Sequence, residues 1–186
     1  MYHVVSSEET KIGRFRVIMQ QIEKGGQLAP FSYVKIRPGV TLIPILENGN
    51  ILVQKNYRHP VGKWEYEFLS GTIDEGESPE KAVARELHEE TGCILKEFIS
   101  LGSFYPSFGS TDEIIYMFVG KVLVPQGLDI TDDSDVHDRE ILEEIRLEEK
   151  TVEEITHMIL TDEFRMGAGL AAWLKWQLKE NIENKN

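Results

Sequence analysis

The residues that could carry chemistry are concentrated in one stretch, residues 71–93 (GTIDEGESPEKAVARELHEETGC). An arginine stands there among several glutamates, at Glu77, Arg85, Glu86, Glu89 and Glu90. Carboxylates at this density repel one another, and like charges four residues apart weaken a helix by about 0.2–0.5 kcal/mol per pair. A bound Mg²⁺ would offset this repulsion, because that hard cation prefers carboxylate oxygens together with waters and substrate phosphates. The alternative is a solvated acidic helix face, which is common for a short ELHEE run.

The spacing predicts a helix that positions these carboxylates. Ser78 followed by Pro79 is a typical helix start, and Gly92 can adopt the left-handed conformation that ends a helix. Residues 79–91 between them are good helix formers without an internal glycine. On such a helix Glu86 and Glu90 share one strip, with Glu89 one step round and an apolar stripe alongside. The acidic groups are therefore expected at the margin of the buried face.

The order of these residues resembles the signature of the Nudix hydrolases. Gly71 is followed after five residues by Glu77 and after seven more by Arg-Glu-Leu; one residue later come Glu-Glu, and one residue after those Gly92. Cys93 stands where the family usually has Ile, Leu or Val, a packing position that a buried thiol can fill. The resemblance implies an α+β domain with the Nudix α/β/α sandwich.

The same resemblance implies roles for the motif residues. Glu86 and Glu90 would anchor Mg²⁺ or Mn²⁺, with Glu89 joining directly or through water. Glu89 and Arg85 count among the catalytic residues, although the arginine acts mainly by orienting the acids through hydrogen bonds. Gly71, Glu77 and Gly92 are implied to be structural. The residue before the motif glycine commonly offers a main-chain carbonyl to the metal, and that role falls to Ser70.

Composition excludes several classes of partner. The chain has 186 residues and a formal net charge of −12, which argues against binding to nucleic acid or to an anionic membrane surface. Cys93 is its only cysteine, so no intrachain disulfide can form. The sequence shows neither a signal-peptide core nor a long apolar run, and a cytoplasmic protein is therefore expected.

Residues 1–38 read as a separate small sheet in front of the main domain, residues 39–186. Residues 15–22 and 31–36 alternate apolar and polar side chains, and Gly25-Gly26 offers a turn. A sheet of this size buries little alone and needs another surface to pack against. In the ADP-ribose pyrophosphatase branch of the Nudix family such a sheet is exchanged between two subunits, so the resemblance implies a homodimer through the N-terminal sheet.

Three segments outside the motif resemble that same branch. Asn56-Tyr57-Arg58 is similar to its Gln-Tyr-Arg stretch, and Arg58, at the end of a strand, is either an exposed loop arginine or one that faces phosphate. Arg37, beside Pro38-Gly39, is a further substrate-binding candidate. Glu67 precedes Ser70-Gly71 in a run similar to Glu-Leu-Pro-Ala-Gly, as either an exposed strand residue or a supporting contact. The loop 105–113 is similar to the branch's proline-bearing loop, and its Glu113 is a candidate for contacting substrate or metal.

A long acidic loop, residues 125–140, precedes the strand expected at 142–147. Loops of this length are usually functional or disordered. In the branch that the chain resembles, an acidic loop here closes over substrate and supplies the general base. Counting back from the strand favours Glu140 for that role, with Asp138 and Asp135 behind it.

The chain is expected to close with helices at 151–160 and 163–179. The second carries an apolar face at helical spacing, made of Leu170, Trp173, Leu174 and Leu178. Trp173 and Trp176 are interpreted as packing residues rather than ligand-binding ones.

The resemblance implies Mg²⁺-dependent hydrolysis of the pyrophosphate bond of a nucleoside diphosphate sugar, with ADP-ribose giving AMP and ribose 5-phosphate. One alternative keeps the chemistry and changes the substrate, to GDP-mannose or another nucleotide sugar. Another, of a different class, is a Nudix module that binds a nucleotide sugar without cleaving it. The sequence disfavours the binding module, because every acid of the motif is present.

Overall fold

The N-terminal residues form a small antiparallel sheet of their own. In the computed structural model, which describes residues 1–128, 130 and 145–183, residues 3–35 fold into β1 (His3–Ile12), β2 (Phe15–Lys24) and β3 (Gln27–Lys35) in that spatial order. Gly25 and Gly26 form the second turn with positive φ, a conformation that glycine adopts without strain. Most side chains of this sheet are exposed, so it contributes little core by itself.

The small sheet is tied to the rest of the protein through the loop 105–113. The backbone N–H of Val34 donates to the carbonyl of Ser110 at 2.9 Å. The N–H of Ile36 donates to the Asp112 carboxylate at 2.8 Å, and Val34 and Thr111 form an isolated bridge. The end of β3 is therefore fixed to a loop that follows β8 in the chain.

A larger mixed sheet forms the centre of the domain. Its strands within the described residues are β4 (Gly39–Ile45), β5 (Ile51–Arg58), β6 (Lys63–Glu67), β7 (Leu69–Thr72), β8 (Ile94–Phe104), β9 (Ile115–Leu123) and β10 (Ile145–Lys150). The order is β10-β5-β4-β9-β8, with β6 paired to β5 and β7 paired to β4. The pair β4 and β9 is parallel, and the other pairs are antiparallel.

Helices cover both faces of this sheet. On one face α1 (Pro79–Thr91) buries Val83 and Leu87 against apolar side chains of the central strands. On the other, α2 (Val152–Leu160) and α3 (Gly167–Glu183) pack over a second core that includes Phe68 and Trp173. Since successive strand residues alternate between faces, each central strand supplies both cores. The α+β fold class with α/β/α layering is confirmed.

The C-terminal helix differs from the prediction in its start and in the face that it buries. It begins at Gly167 rather than residue 163, and Leu174 and Leu178, predicted to face the core, are exposed. The buried residues are Ala168, Gly169, Ala172, Trp173 and Trp176. Small residues lie on part of this face because the helix comes close to the core there: a Cβ on Gly169 would stand 2.7 Å from the Phe164 ring. The packing role of Trp173 and Trp176 is confirmed.

No helix in the part of the chain that the structure describes is long and apolar enough to cross a membrane.

Candidate functional site

The motif helix begins and ends where the sequence predicts. The Ser78 hydroxyl accepts from the backbone N–H of Lys81, Pro79 occupies the first turn, and Gly92 at φ 70° donates its N–H to the carbonyl of His88. These caps satisfy backbone groups that a helix leaves open at its ends. They fix where α1 begins and ends, and with it the positions of the motif carboxylates along the helix.

Arg85 is the hub of the motif, because all five N–H groups of its guanidinium are engaged. Nε and Nη2 donate to the two carboxylate oxygens of Glu77 at 3.0 and 2.9 Å. Nη1 donates to both Glu86 and Glu89 at 2.9 Å, and Nη2 also donates to the carbonyl of Thr72 at 2.9 Å. Hydrogen bonding to Glu77 is the main reason why the Arg85 pKa is raised and why the Glu77 pKa is lowered.

Glu86 lies against the backbone of β7, in a space that exists because residue 71 is glycine. A Cβ on Gly71 would stand 1.9 Å from Cδ of Glu86. One Glu86 carboxylate oxygen accepts from the backbone N–H of Thr72 at 3.1 Å. Burial raises the Glu86 pKa, and the positive charge of Arg85 opposes that rise. A partly buried carboxylate is thus held in one orientation.

Glu90 is the most buried acid of the motif, and the Glu89 side chain is more exposed to solvent than those of Glu77 and Glu86. Glu90 accepts a short hydrogen bond from Nε2 of Gln54, a buried residue of β5. The Glu89 side chain is 41% exposed while its carboxylate is bound to Arg85. Sequence reasoning missed Gln54, although Gln54, Asn56 and Arg58 alternate along β5, a pattern typical of a polar strip on one face.

The donor set fits a hard divalent cation that brings part of its own coordination shell. Three motif carboxylates surround one guanidinium, and the fourth, that of Glu90, is bonded to the neutral Gln54, which leaves an excess of negative charge. Among the described residues no three His, Cys, Asp or Glu side chains converge closely enough to enclose an ion. Mg²⁺ is usually held by one or two carboxylates, and waters and phosphates complete its octahedron. Glu86, Glu89 and Glu90 could therefore hold such an ion in part.

Ser70 precedes the motif glycine on β7 and its side chain is already engaged. The Ser70 hydroxyl lies 3.0 Å from that of Thr41 and 3.2 Å from the carbonyl of Phe68. Ser70 can therefore contribute its main-chain carbonyl, as the resemblance implies, without the side chain taking part.

The predicted substrate-binding residues lie in three different settings. Arg58 ends β5 and donates from Nε and Nη2 to the buried Glu67 at 3.2 and 2.8 Å, so Glu67 is a supporting contact. Arg37 is exposed and forms an ion pair with Asp74 at 3.0 Å. Glu113 precedes β9, and burial raises its pKa.

The candidates for the general base, Glu140, Asp138 and Asp135, lie outside the described residues.

Comparisons with known proteins agree with this architecture. A family model described as "NUDIX domain" matches residues 35–139, more than half of the chain. The chain is 33% identical over 98 residues to the ADP-ribose pyrophosphatase of Bacillus subtilis (strain 168), covering 53% of each chain. It is 34% identical over 112 residues to the methanol dehydrogenase activator of Bacillus methanolicus, covering 58% of this chain and 60% of the relative. The chain thus spans between about half and three fifths of the length of these curated relatives.

A solved structure titled "Crystal structure of ADP compounds hydrolase" shares the fold. The TM-score is 0.81 over 100% of this chain and 96% of that one, at 18% sequence identity, so the likeness concerns the fold alone. The family match covers β4 to β9 and the whole of the α1 motif, where the carboxylates and Arg85 lie. The chain belongs to the Nudix family.

Proposed function

We propose that the protein hydrolyses the pyrophosphate bond of a nucleoside diphosphate sugar in the presence of Mg²⁺, with ADP-ribose as substrate and AMP and ribose 5-phosphate as products. Nudix hydrolases generally use divalent metal cations. The choice of Mg²⁺ over Mn²⁺ is part of the proposal. The choice of ADP-ribose is supported by the likeness to the pyrophosphatase of B. subtilis.

The observation that carries the proposal is the fixed array of acids around Arg85. A solvated acidic face would leave its carboxylates free to separate, whereas here Glu86 and Glu89 share one guanidinium nitrogen at 2.9 Å. Glu90 is buried and hydrogen-bonded to Gln54 rather than turned to solvent. Burial and preorganisation of negative charge cost stability, and a cation bound to the anionic substrate is the chemistry that uses them.

In the proposed mechanism Glu86 and Glu90 would hold the metal, and Glu89 and the Ser70 carbonyl would be further ligands. When bound, Mg²⁺ supplies Lewis-acid stabilisation of the charge on the diphosphate. Arg85 and Glu77 keep the motif acids in position.

Arg58, Glu113 and Arg37 are proposed to contact the substrate. The oxygen of a water attacks one phosphorus, and the bond from that phosphorus to the bridging oxygen breaks. The carboxylate of Glu140 takes the proton of that water, as a general base.

We also propose that residues 1–38 form the dimerising unit and residues 39–186 the hydrolase domain. The N-terminal sheet exposes several large apolar side chains, including those of Ile12, Phe15, Met19 and Leu28. A second copy would cover them. A cytoplasmic location is part of the same proposal, supported by a single cysteine that is buried.

The test is a substrate panel with purified protein. ADP-ribose, GDP-mannose and related compounds are incubated with Mg²⁺ or Mn²⁺, and the release of AMP or GMP is followed by chromatography. We expect ADP-ribose to be cleaved and Glu90→Gln to lose at least about 100-fold in kcat/KM while keeping its fold, because a buried ligand to the metal loses its charge. Glu80→Gln, an exposed acid of the same helix, is the matched control.

Each other outcome has a meaning. Equal turnover by Glu90→Gln and wild type would show that the site is assigned wrongly. Turnover of GDP-mannose in place of ADP-ribose would keep the chemistry and change the substrate. Tight binding of ADP-ribose without cleavage by any preparation would favour the binding module.

A further inference from the structure

Strand β6 carries one buried glutamate, Glu67, and one partly buried glutamate, Glu65, and each binds an arginine from a neighbouring segment. Glu67 binds Arg58 of β5, as described above. Glu65 binds Arg165, whose Nη2 makes a short contact to one Glu65 oxygen and whose Nε lies 3.3 Å from the other. The side chains of Glu67 and Glu65 are 5% and 15% exposed, whereas those of Arg58 and Arg165 are 46% and 50% exposed. Each arginine is thus anchored at a carboxylate that is mostly shielded from solvent, while its own side chain is about half exposed.

Arg165 is fixed on the same side of the sheet as the motif helix. Phe164 forms a β-bridge with Tyr66 along the edge of β6. Its side chain is buried, and its ring centroid lies 4.7 Å from that of Phe68. Because successive residues of an extended segment point to opposite faces, Arg165 shares a face with Glu65 and Glu67.

The arginines border the acidic array of the motif. Glu67 lies directly opposite Gln54 in the β5 and β6 register, and Gln54 donates to Glu90. Glu65 lies two residues along the same face of β6, directly opposite Asn56 of β5. Arg58 and Arg165 are therefore anchored side by side on the face that carries Gln54 and Glu90.

This arrangement suits recognition of a phosphoanhydride. An arginine that binds its anchor through Nε and one terminal nitrogen keeps the other terminal nitrogen available to face a second anion. A chain with a net charge of −12 needs such local cations to receive a diphosphate at all. Two guanidinium groups on the same face as Gln54 and Glu90 supply them, and their carboxylate anchors reduce the entropy lost when substrate is fixed.

We propose that Arg165 is a phosphate-binding residue that receives the diphosphate together with Arg58, and that Glu65 is a positioning residue for Arg165. The part that concerns a diphosphate substrate rests on the proposed function. Arg165 lies outside the motif and about 100 positions from its anchor in the chain.

The experiment compares Arg165→Ala, Arg165→Lys and Glu65→Gln with wild type in the full-length chain. Arg146→Ala is the matched control: Arg146 lies on β10, with its guanidinium 4.4 Å from the centroid of the Trp64 ring, on the opposite face of the same sheet. Two readouts are measured: kcat and KM for ADP-ribose with Mg²⁺, and the Kd of inorganic pyrophosphate by calorimetry, which needs no turnover. Thermal denaturation checks that each variant is folded.

We expect Arg165→Ala to raise both KM and the pyrophosphate Kd by about 10-fold or more, since one charge-assisted hydrogen bond is lost, while kcat changes less than about threefold. Glu65→Gln should raise KM by a smaller factor. The double variant should be no worse than Arg165→Ala, because the two residues act as a unit. Lysine should restore part of the affinity, since it keeps the charge and loses the fork.

The results that overturn the proposal are distinct from those that overturn the function. If Arg165→Ala and Arg146→Ala have the same KM and the same pyrophosphate Kd, Arg165 does not bind phosphate. A fall in kcat with unchanged KM and Kd also contradicts a binding role. If wild type cleaves no nucleotide sugar, the proposed function fails and the pyrophosphate Kd alone decides on Arg165. Should Arg165→Ala not fold, Arg165→Lys takes its place in each comparison.

Discussion

Replacing Arg85 by lysine is a sharp test of the motif geometry, because the two side chains carry the same charge. The guanidinium makes five hydrogen bonds, four of them to carboxylate oxygens. An ammonium group has three N–H donors, so at least two of these bonds must be lost. The change therefore measures how much the planar, multidentate guanidinium contributes to stability, rather than how much its positive charge contributes.

The expected cost follows from the burial of the site. A hydrogen bond to a charged group contributes about 1.5–3 kcal/mol when buried. The Arg85 side chain is 28% exposed, and solvent screening lowers the figure to about 1 kcal/mol per bond. Two lost bonds give a decrease of about 2 kcal/mol in the free energy of unfolding, equivalent to about 4–8 °C in Tm for a chain of this size.

The assay is urea denaturation of Arg85→Lys with wild type alongside, combined with turnover of ADP-ribose. Arg16→Lys is the matched control, because Arg16 also binds a carboxylate, that of Glu9, through two nitrogens, but both partners lie at the surface. We expect no resolvable change in its denaturation midpoint. If Arg85→Lys shifts the midpoint no further than Arg16→Lys, the guanidinium does not organise the acids in the way described.

Three further predictions concern single contacts. Gly71→Ala should fold but lose most activity and metal affinity, measured by turnover and calorimetry, because its Cβ would displace the carboxylate of Glu86 from its position against β7. Burial acts to raise the Glu148 pKa, but the hydrogen bond and charge of Lys150 outweigh it and the net pKa is lowered. A lowered carboxyl pKa stabilises the fold above the unfolded-state pKa near about 4.3; Glu148→Gln should therefore cost about 0.5–1 kcal/mol at pH 7 in urea denaturation, and the difference should vanish as pH falls through the folded pKa. Asp112→Ala should speed hydrogen exchange of the Ile36 backbone amide, which donates to the Asp112 carboxylate just after β3, with little change in overall Tm.

Each of these has a control in the chain. Gly167→Ala adds a methyl group where nothing lies within 4 Å, and its turnover should match that of wild type. Glu97→Gln removes a fully solvated ion pair with Lys121 and should leave stability unchanged at every pH. Asp112→Asn keeps an oxygen acceptor and should retain slow exchange. If a variant gave the same result as its control, the contact on which that prediction depends would be contradicted.

The parts of the structure that the sequence predicted are those determined locally. The bounds of α1 follow from Ser78, Pro79 and Gly92, each of which acts within one turn of the helix. The turn at Gly25 and Gly26 and the alternating strands beside it are equally local. These features need no knowledge of the tertiary structure, and they position the motif acids.

The parts that the sequence did not reveal depend on contacts between distant segments. Leucines lie on more than one side of the last helix, so its buried face is decided by the approach of Gly169 to Phe164 rather than by apolar spacing. The partnership of Gln54 with Glu90 and that of Glu65 with Arg165 join residues 36 and 100 positions apart. No periodicity within either segment indicates its partner.

The bond from Arg85 to the carbonyl of Thr72, and the fit of Glu86 against Gly71, have a consequence for protein engineering. The motif helix α1 is supported by main-chain atoms of the preceding strand, so a peptide of residues 79–91 transplanted into another scaffold would carry the acids without their supports. The smallest portable unit is the strand, loop and helix of residues 69–92, placed on a host sheet that offers a partner like Gln54 for the last glutamate.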